Sequence, residues 1–267
     1  MTTRQIVGEP TRDSSEPGGR PRVSFVVPAH DEEALLPRTL GALRAAGEAA
    51  AGGSYEIVVA DDASTDRTSS IAASFGARVV RIDARRIAAA RNAGARAARG
   101  DVLVFVDADT VVPGATLAAA LGEVESGRAA AGGATIAFDG RVPLWARGML
   151  AVLNPLFRLL RASGGCFIFA RRDAYEKTGG WDESLLCTEE MTMCRDLRRH
   201  GRFVVLRETV VTSGRKLRSH SARELLGTLV AIGVRGRKGA RDPRLARIWY
   251  GPRRADPDAR LDESAAS

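Results

Sequence analysis

The stretch Gly100–Thr110, Gly-Asp-Val-Leu-Val-Phe-Val-Asp-Ala-Asp-Thr, joins an apolar run to two carboxylates that are one residue apart. The run from Val102 to Val106 has no polar alternation, which is typical of a strand buried on both faces of a parallel sheet. Ligands of such sheets bind beyond the carboxyl ends of the strands, where Asp107 and Asp109 lie. Two carboxylates placed in this way suit Mg²⁺ or Mn²⁺, and these ions can hold a diphosphate. A solvated acidic turn is the alternative interpretation, because Asp-x-Asp is a common sequence.

The length and composition fit a globular α/β protein. The chain has 267 residues and is 45% hydrophobic, which is enough for one large domain or two small ones. Residues 1–22 are polar and lack the apolar core of a signal peptide, so we predict a disordered tail there. No apolar run of about 18 residues occurs, so we expect no transmembrane helix. The three cysteines lack Cys-x-x-Cys spacing, which indicates free thiols in a reducing cytoplasm.

The positive charge is concentrated in the C-terminal part. The chain has a net charge of +8, and residues 195–254 contain 17 Lys/Arg against 4 Asp/Glu. Such a patch could contact nucleic acid, anionic lipid or a phosphorylated substrate, or could simply keep helices soluble. Few aromatic residues accompany it, which argues against stacking on single-stranded nucleic acid. We therefore predict no nucleic-acid partner and keep peripheral contact with an anionic membrane open.

Apolar runs alternate with helical patterns along the first half of the chain. This alternation predicts βαβ units with parallel strands. Strands are predicted at 23–27, 56–60, 78–82, 102–106, 130–138, 166–170 and 203–206. Helices are predicted from residues 35 and 67 and at 87–98, 114–127, 171–177, 189–200 and 222–234, with a loose basic tail after the last one. Neither Gly-x-Gly-x-x-Gly nor a P-loop occurs, which argues against those two nucleotide sites.

Residues 142–160 form an apolar segment that is interrupted by arginines. The segment is too short and too charged to span a bilayer. It could lie on a membrane surface or line an acceptor pocket. Ordinary core packing is the alternative.

Six short motifs follow one another in a recognisable order. They are Val-Pro-Ala-His-Asp-Glu-Glu, Val-Val-Ala-Asp-Asp-Ala-Ser-Thr-Asp, Arg-Asn-Ala-Gly, Asp-Ala-Asp, Gly-Gly-Trp-Asp-Glu and Thr-Glu-Glu. Together they closely resemble the family 2 glycosyltransferases, which are inverting enzymes of the GT-A fold. The resemblance covers roughly residues 23–206.

The resemblance implies a fold and a division of the chain. The fold is α/β of the GT-A type: a Rossmann-like, mostly parallel nucleotide-binding sheet with helices on both faces and a C-terminal acceptor side. The glycosyltransferase domain would span residues 23–220, with a nucleotide-sugar half at 23–112 and an acceptor half at 113–220. Residues 221–267 would form a basic C-terminal helix and tail.

The resemblance also implies a donor site. The residues that match its nucleotide-sugar positions are Pro28, Ala29, Asp31, Glu32, Asp61, Asp62, Arg91, Asp107, Ala108 and Asp109. One acid of the 61–62 pair would accept a hydrogen bond from a uracil-type base, since an ionised carboxylate is only an acceptor. Asp109 would bind Mg²⁺ or Mn²⁺ directly, and Asp107 would face the ribose or a metal-bound water. A turn with a helix cap remains open for the 61–62 pair, and a surface position for Arg91.

The acidic pair Glu189-Glu190 matches the catalytic position of the family. There the second acid, commonly an aspartate, deprotonates the acceptor hydroxyl, so we predict Glu190 as the general base. The glutamate adds one methylene, which changes its reach. Acids at a helix N-terminus are also favoured electrostatically, so a purely structural role for the pair stays open.

The segment after this pair departs from the family's processive members. Those synthases carry Gln-x-x-Arg-Trp and flanking transmembrane helices, and neither occurs here, which favours a single, non-processive transfer. Arg215, Lys216 or Arg218 could grip the diphosphate or an anionic acceptor. His220 could complete the metal shell, or it could be an ordinary surface residue.

These features together predict a cytoplasmic glycosyltransferase that moves a sugar from a UDP- or GDP-linked donor to an unidentified acceptor. A nucleotidyltransferase remains an alternative, although the 189–190 pair would then lack an obvious role. A catalytically silent binding module is the second alternative. The acidic site residues argue against it.

Overall fold

A computed structural model of the protein describes residues 19–250, which contain one eight-stranded sheet. The strands are β1 Val23–Ala29, β2 Tyr55–Asp62, β3 Arg78–Ile82, β4 Val102–Val106, β5 Thr110–Val111, β6 Ala131–Phe138, β7 Phe167–Arg171 and β8 Phe203–Thr212. The longer helices are α1 Leu36–Ala51, α2 Thr68–Ser74, α3 Ile87–Ala97, α4 Gly114–Glu125, α5 Leu144–Leu160, α6 Arg172–Thr178, α7 Glu189–Leu197 and α9 Ala222–Arg235. The short helices are α8 Arg215–Ser219, α10 Arg237–Ala240 and α11 Arg247–Tyr250.

The strand order in the sheet is β3-β2-β1-β4-β7-β6-β8-β5. The four strands from β3 to β4 are all parallel. β7 runs antiparallel to both of its neighbours, β4 and β6, and β8 returns parallel to β6. The prediction of a mostly parallel α/β sheet is therefore confirmed. The carboxyl ends of β1, β2 and β4 meet at one edge, where the predicted donor residues follow them.

Helices cover both faces of the sheet, also as predicted. Alternate residues of β1 point to opposite faces: Phe25 belongs to a core formed with α1 and α4, and Val26 to a core formed with α3, α6 and α7. Each fully buried large apolar side chain contributes about 1.5–3 kcal/mol. Helix α3 packs very closely on the sheet, because a Cβ at Gly94 would lie 2.6 Å from Cγ1 of Val26. This close approach brings the side chains of α3 into the site.

The differences from the predicted elements lie in the second half of the chain. Strand β8 continues to Thr212 instead of ending at Leu206, through a polar stretch that hides the apolar signal. The two-residue strand β5 pairs with its end, so Thr110 lies opposite Thr212. Neither β5 nor the five-residue helix α8 is long enough to show periodicity, which explains why sequence patterns miss both.

Helix α5 corresponds to the apolar segment at 142–160, and it lies on the surface. Ala146 is its buried residue, whereas Leu144 is 80% and Leu159 79% exposed. Phe157 packs against both cores, so ordinary core packing accounts for one face of this helix but not for its exposed leucines. Among residues 19–250, no helix combines the length and the hydropathy that crossing a membrane requires.

The basic segment after α9 is more ordered than the loose tail that the sequence predicts. Helices α9 and α10 pack on the loop before α7, with Ile232 and Ala240 against Leu185 and Cys187. The backbone N–H of Leu186 donates to the carbonyl of Ala240 at 2.8 Å. The remaining parts of the predicted tails, residues 1–18 and 251–267, lie outside the described residues.

Candidate active site

The loops after β1 and β2 are joined through their acidic residues. Asp31 accepts a hydrogen bond from the backbone N–H of Thr65 at 2.7 Å, and its own N–H donates to Oγ of Ser64 at 2.9 Å. The N–H of Glu32 donates to Oγ1 of Thr68 at 2.8 Å. Pro28 and Ala29 are buried at the end of β1. The structure thus brings the predicted base-side residues of both loops together at one edge of the sheet.

Asp61 and Asp62 are both buried, at 4% exposure each, and both organise backbone. Asp61 accepts hydrogen bonds from the N–H of Ser64 and from the hydroxyl of Ser69. Asp62 accepts three backbone N–H bonds at 2.7–2.8 Å, from Ala84, Arg85 and Arg86. This second carboxylate therefore shapes the loop that leads into α3. Both carboxylates therefore stabilise turns, as the turn interpretation predicts. This role is compatible with a hydrogen bond from a base.

Arg91 lies inside the protein and not on its surface. It is 1% exposed, and its guanidinium lies 4.4 Å from the ring centroid of Trp181. Nη1 donates to Oε1 of Glu189 at 2.7 Å, and Nη2 donates to Oδ1 of Asp107 at 2.9 Å. Nη2 also donates to the carbonyl of Gly165 at 3.1 Å. The surface alternative is therefore excluded, and Arg91 joins the acid after β4 to the acidic pair of α7.

The Asp107-Ala108-Asp109 segment is held by backbone contacts. The N–H of Asp107 donates to the carbonyl of Cys166 at 3.2 Å, and the carbonyl of Ala108 accepts from Oγ1 of Thr39 at 2.9 Å. Oδ1 of Asp109 accepts from Oγ1 of Thr212 at 3.3 Å. Burial raises the pKa of Asp109 to about 6, against the opposing effect of nearby Arg215.

The segment after β8 delivers cations to the same edge. Arg215 is 3.1 Å from Oδ2 of Asp109 and donates to both carboxylate oxygens of Glu32. Lys216 lies nearby, where burial lowers its pKa and Asp109 opposes that effect. Arg218 instead donates to the carbonyl of Asp139 at 2.7 Å. Two of the three predicted cations therefore lie beside the acidic site.

The described residues contain no group of three or more His, Cys, Asp and Glu that is close enough to hold a metal. His220 thus does not assemble with Asp107 and Asp109 into a three-ligand group, and its Nδ1 lies 3.0 Å from Oγ of Ser219. Two carboxylates still fit Mg²⁺ or Mn²⁺, because such ions are commonly held by one or two carboxylates together with substrate phosphates and water. The donor set at this site is therefore suitable when a diphosphate completes it.

Glu189 and Glu190 open α7, as predicted, but their environments differ. Glu189 is 5% exposed and paired with Arg91, whereas Glu190 is half-buried and forms no ion pair with an arginine among the residues that the structure describes. Burial, together with the charge of Glu189, raises the pKa of Glu190 to about 8. A carboxyl group in this state can exchange a proton near neutral pH. Gly165 permits the close packing, because a Cβ there would lie 2.9 Å from Nη2 of Arg91.

Three further residues near the site have no role in the sequence prediction. Trp181 stacks on Arg91, and Asn92 fixes it by bonding both its N–H and its carbonyl, at 2.8 and 3.0 Å. The hydroxyl of Tyr250 accepts from the N–H of Ile87 at 3.2 Å. The Gly-Gly-Trp-Asp-Glu motif could have indicated from the sequence that Trp181 lies near the site. Tyr250 comes from the far end of the chain, and no local pattern indicates it.

The arrangement combines three chemical capacities along one edge of the sheet. The loops after β1 and β2 can surround a planar base. Carboxylates and cations after β4 and β8 suit a metal-bound diphosphate, and a carboxyl group on α7 can accept a proton. Such an edge is where ligands of open α/β sheets bind.

Two curated relatives match part of the chain. Validoxylamine A glucosyltransferase of Streptomyces hygroscopicus subsp. limoneus is 42% identical over 93 residues, which is 33% of this chain and 20% of that protein. Undecaprenyl-phosphate 4-deoxy-4-formamido-L-arabinose transferase of Shewanella sediminis is 38% identical over 98 residues, 34% of this chain and 29% of that protein. The chain thus matches only about a fifth to a third of the length of these relatives.

Two solved structures share the fold over most of the chain. Residues 1–349 of TarS from S. aureus superpose with a TM-score of 0.59 at 20% identity, over 85% of this chain and 69% of that one. The mannosyltransferase PcManGT of Pyrobaculum calidifontis, in complex with GDP-Man and Mn²⁺, gives 0.61 at 23% identity, over 92% and 74%. Both likenesses confirm the predicted GT-A fold.

A match to a family model shows to which protein family the chain belongs. The model of glycosyl transferase family 2 matches residues 24–181, which is more than half of the chain. This span contains the loops after β1 and β2, Arg91, the Asp-Ala-Asp segment and Trp181. The chain belongs to glycosyl transferase family 2.

Proposed function

We propose that this protein transfers a sugar from a nucleoside diphosphate donor to an acceptor hydroxyl, with inversion and in single, non-processive steps. The observation that supports this most is the network in which Arg91 joins Asp107 of the donor side to Glu189 beside the predicted base. The network links the part of the site that would hold the donor to the part that would deprotonate the acceptor, and a direct displacement needs both. A UDP- or GDP-linked donor is supported by solved structures with the same fold, since TarS was determined with UDP-GlcNAc and PcManGT with GDP-Man.

The residues of the chain divide the work as follows. Asp31, Glu32 and the 61–62 loop would border the base and ribose, and Arg215 and Lys216 would contact the diphosphate. Asp109, with Asp107, would hold Mg²⁺ or Mn²⁺, which supplies charge neutralisation for the departing diphosphate. Structures of PcManGT and of glucosyl-3-phosphoglycerate synthase from Mycobacterium tuberculosis contain Mn²⁺. Glu190 would take the proton of the acceptor hydroxyl.

Thermal unfolding with nucleoside diphosphates tests this function directly. We expect either UDP or GDP to raise the melting temperature of the wild type when Mn²⁺ is present, because a ligand of the native state stabilises it by mass action. At a ligand concentration about 100 times Kd the gain is about 2.7 kcal/mol. Asp109→Ala should lose the metal-dependent part of the shift. Differential scanning fluorimetry measures both.

An exposed arginine provides the matched control for that experiment. Arg128→Ala removes an exposed charge that pairs with Glu123 of α4, so its diphosphate shift should equal that of the wild type. A wild type that no diphosphate stabilises would favour the silent binding module instead. Incorporation of nucleotide with release of pyrophosphate would favour the nucleotidyltransferase.

We further propose that helix α5 contacts an anionic membrane surface, where the acceptor would be held. Residues 141–161 contain four arginines and no acid, and the exposed side chains of α5 include Leu144, Val152 and Leu159. An apolar stripe rimmed by arginines is typical of helices that lie in the membrane interface. One relative is named as an undecaprenyl-phosphate 4-deoxy-4-formamido-L-arabinose transferase, and a lipid-linked acceptor would agree with this location.

Flotation with phosphatidylglycerol-containing vesicles tests the membrane proposal. We expect the wild type to float with these vesicles at low salt, and to be released by salt, because screening weakens its attraction to anionic lipid. Leu159→Glu should weaken binding at least about tenfold, since burying one leucine contributes about 1.5–3 kcal/mol. Gly41→Glu adds the same charge at an exposed position of α1 and serves as control. Failure of the wild type to float at low salt would contradict the proposal.

A further inference from the structure

A guanidinium group lies on the carboxylate that the proposed donor site offers to a metal. Nη2 of Arg215 is 3.1 Å from Oδ2 of Asp109. The same group donates through Nη1 to Oε2 of Glu32 at 3.0 Å and through Nη2 to Oε1 at 2.6 Å. The three side chains are only 21%, 15% and 10% exposed, respectively. One positive charge is therefore held between two acids that come from separate loops.

The fold fixes this position of Arg215. Strand β8 pairs with β5, which puts Thr212 opposite Thr110 directly after the Asp-Ala-Asp segment. The N–H of Ser213 then donates to the carbonyl of Asp109 at 3.1 Å. Helix α8 begins two residues later, at Arg215 itself. The contact is thus a consequence of sheet pairing, and a flexible surface arginine would not be restrained in this way.

Both acids of the Asp-Ala-Asp segment already have an arginine partner. Asp107 is bound by Arg91, which is buried and also donates to the carbonyl of Gly165, so this ion pair is held in place. Among residues 19–250, the guanidinium of Arg215 is held by side-chain contacts to Glu32 and Asp109, and such contacts can be exchanged for others. A metal ion at Asp109 would bring a second cation close to the guanidinium, and like charges at such distances repel. A diphosphate removes this conflict, because it can accept a bidentate arginine and a metal at the same time.

We propose that Arg215 is the resident counter-ion of Asp109, which keeps a divalent metal from binding alone and makes metal and nucleoside diphosphate bind together. The proposal rests on the proposed function, since it assigns a regulatory role within the same donor site. When the donor arrives, Arg215 exchanges its ion pair with Asp109 for an ion pair with the diphosphate. By linkage, metal and diphosphate then raise each other's affinity by the same factor.

A purely structural role makes a different prediction for the same residue. If Arg215 only ties α8 to the loop after β1, its loss lowers stability and leaves metal affinity unchanged. If it is the counter-ion, its loss raises the affinity for metal alone and lowers the affinity for diphosphate. The two affinities move in opposite directions, which no general loosening of the site produces.

The experiment measures Mn²⁺ binding to the full chain by electron paramagnetic resonance of free Mn²⁺. Without nucleotide, Arg215→Gln should bind Mn²⁺ about tenfold more tightly than the wild type, within the roughly 5- to 150-fold range that couplings between sites commonly span. With saturating Mn²⁺, its affinity for UDP or GDP should fall, as calorimetry can show. Arg128→Gln, which removes an exposed arginine paired with Glu123 of α4, should change neither value.

The outcomes separate this inference from the proposed function. Unchanged or weaker Mn²⁺ binding by folded Arg215→Gln overturns the counter-ion role while the metal site itself stands. A wild type that binds no Mn²⁺ with either diphosphate overturns both. If circular dichroism shows that the glutamine variant is unfolded, Arg215→Lys replaces it. The lysine keeps the positive charge but cannot form the two parallel hydrogen bonds of a guanidinium group. We therefore expect a smaller rise in Mn²⁺ affinity, and no rise would overturn the inference.

Discussion

Glu190→Gln should lower the rate of sugar transfer by about 10²–10⁴-fold while donor binding is retained. Loss of a general base typically has this effect, and the amide cannot accept the proton of the acceptor hydroxyl. Glu190 is the half-buried acid at the start of α7, next to an acid that Arg91 already engages. The measurement is the release of nucleoside diphosphate from the donor that the unfolding experiment identifies, with water as acceptor until a sugar acceptor is known.

The pH dependence of the wild type provides an independent readout of the same residue. The base works only without its proton, and the pKa of Glu190 is raised to about 8, mainly by burial. Therefore kcat/KM should rise with pH up to about 8, and below that value it should fall about tenfold per pH unit. A rise centred on the usual range of a glutamate would contradict the assigned environment.

The diphosphate-induced thermal shift is the control for Glu190→Gln. The shift should match that of the wild type, because the base contacts the acceptor and not the diphosphate. A variant that keeps most of its rate would remove Glu190 from the mechanism. Glu189 would then be the next candidate, although its carboxylate is already engaged by Arg91.

Arg91→Met should lower the free energy of unfolding by about 3–5 kcal/mol, since breaking a buried ion pair from one side leaves uncompensated charge. Here two carboxylates, Asp107 and Glu189, would lose the same partner. For a protein of this size we expect the melting temperature to fall by roughly 6–20 °C. Chemical denaturation measures the energy, and differential scanning calorimetry measures the temperature.

Two variants show whether charge is the cause. Arg67→Met removes an arginine that is 79% exposed and paired with Glu33, so its effect should stay below about 1 kcal/mol. Arg91→Met combined with Glu189→Gln should recover part of the loss, because one of the two unpaired charges is removed as well. If the double variant is no more stable than Arg91→Met, lost packing against Trp181 explains the effect better.

The site could be predicted from sequence as far as its residues follow strand ends. Asp61 and Asp107 come directly after apolar runs, Asp31 follows the first run within four residues, and the carboxyl ends of parallel strands meet at one edge. Their presence at this edge follows from periodicity alone. What each carboxylate bonds to does not follow, because Asp62 is committed to three backbone N–H groups of a loop more than 20 residues away.

Long-range pairings are the part that sequence patterns missed. The sequence left Arg91 as either a diphosphate ligand or a surface arginine, and it is a buried bridge between acids 16 and 98 residues away. The position of α5 was equally open, because an apolar stripe looks the same whether a core or a solvent-exposed surface lies opposite it. Only the packing of the neighbouring elements decides between them.

The amino-acid sequence by itself determined the order of the longer strands and of most longer helices, the family resemblance and the edge at which the acids collect. These depend on local periodicity and on motifs that are read within a few residues. The tertiary structure alone decided that Arg91 is buried between two acids, that Arg215 lies on Asp109, and that α5 faces outward. The physical reason is that burial and ion pairing depend on contacts between distant segments, which exist only once the sheet has assembled.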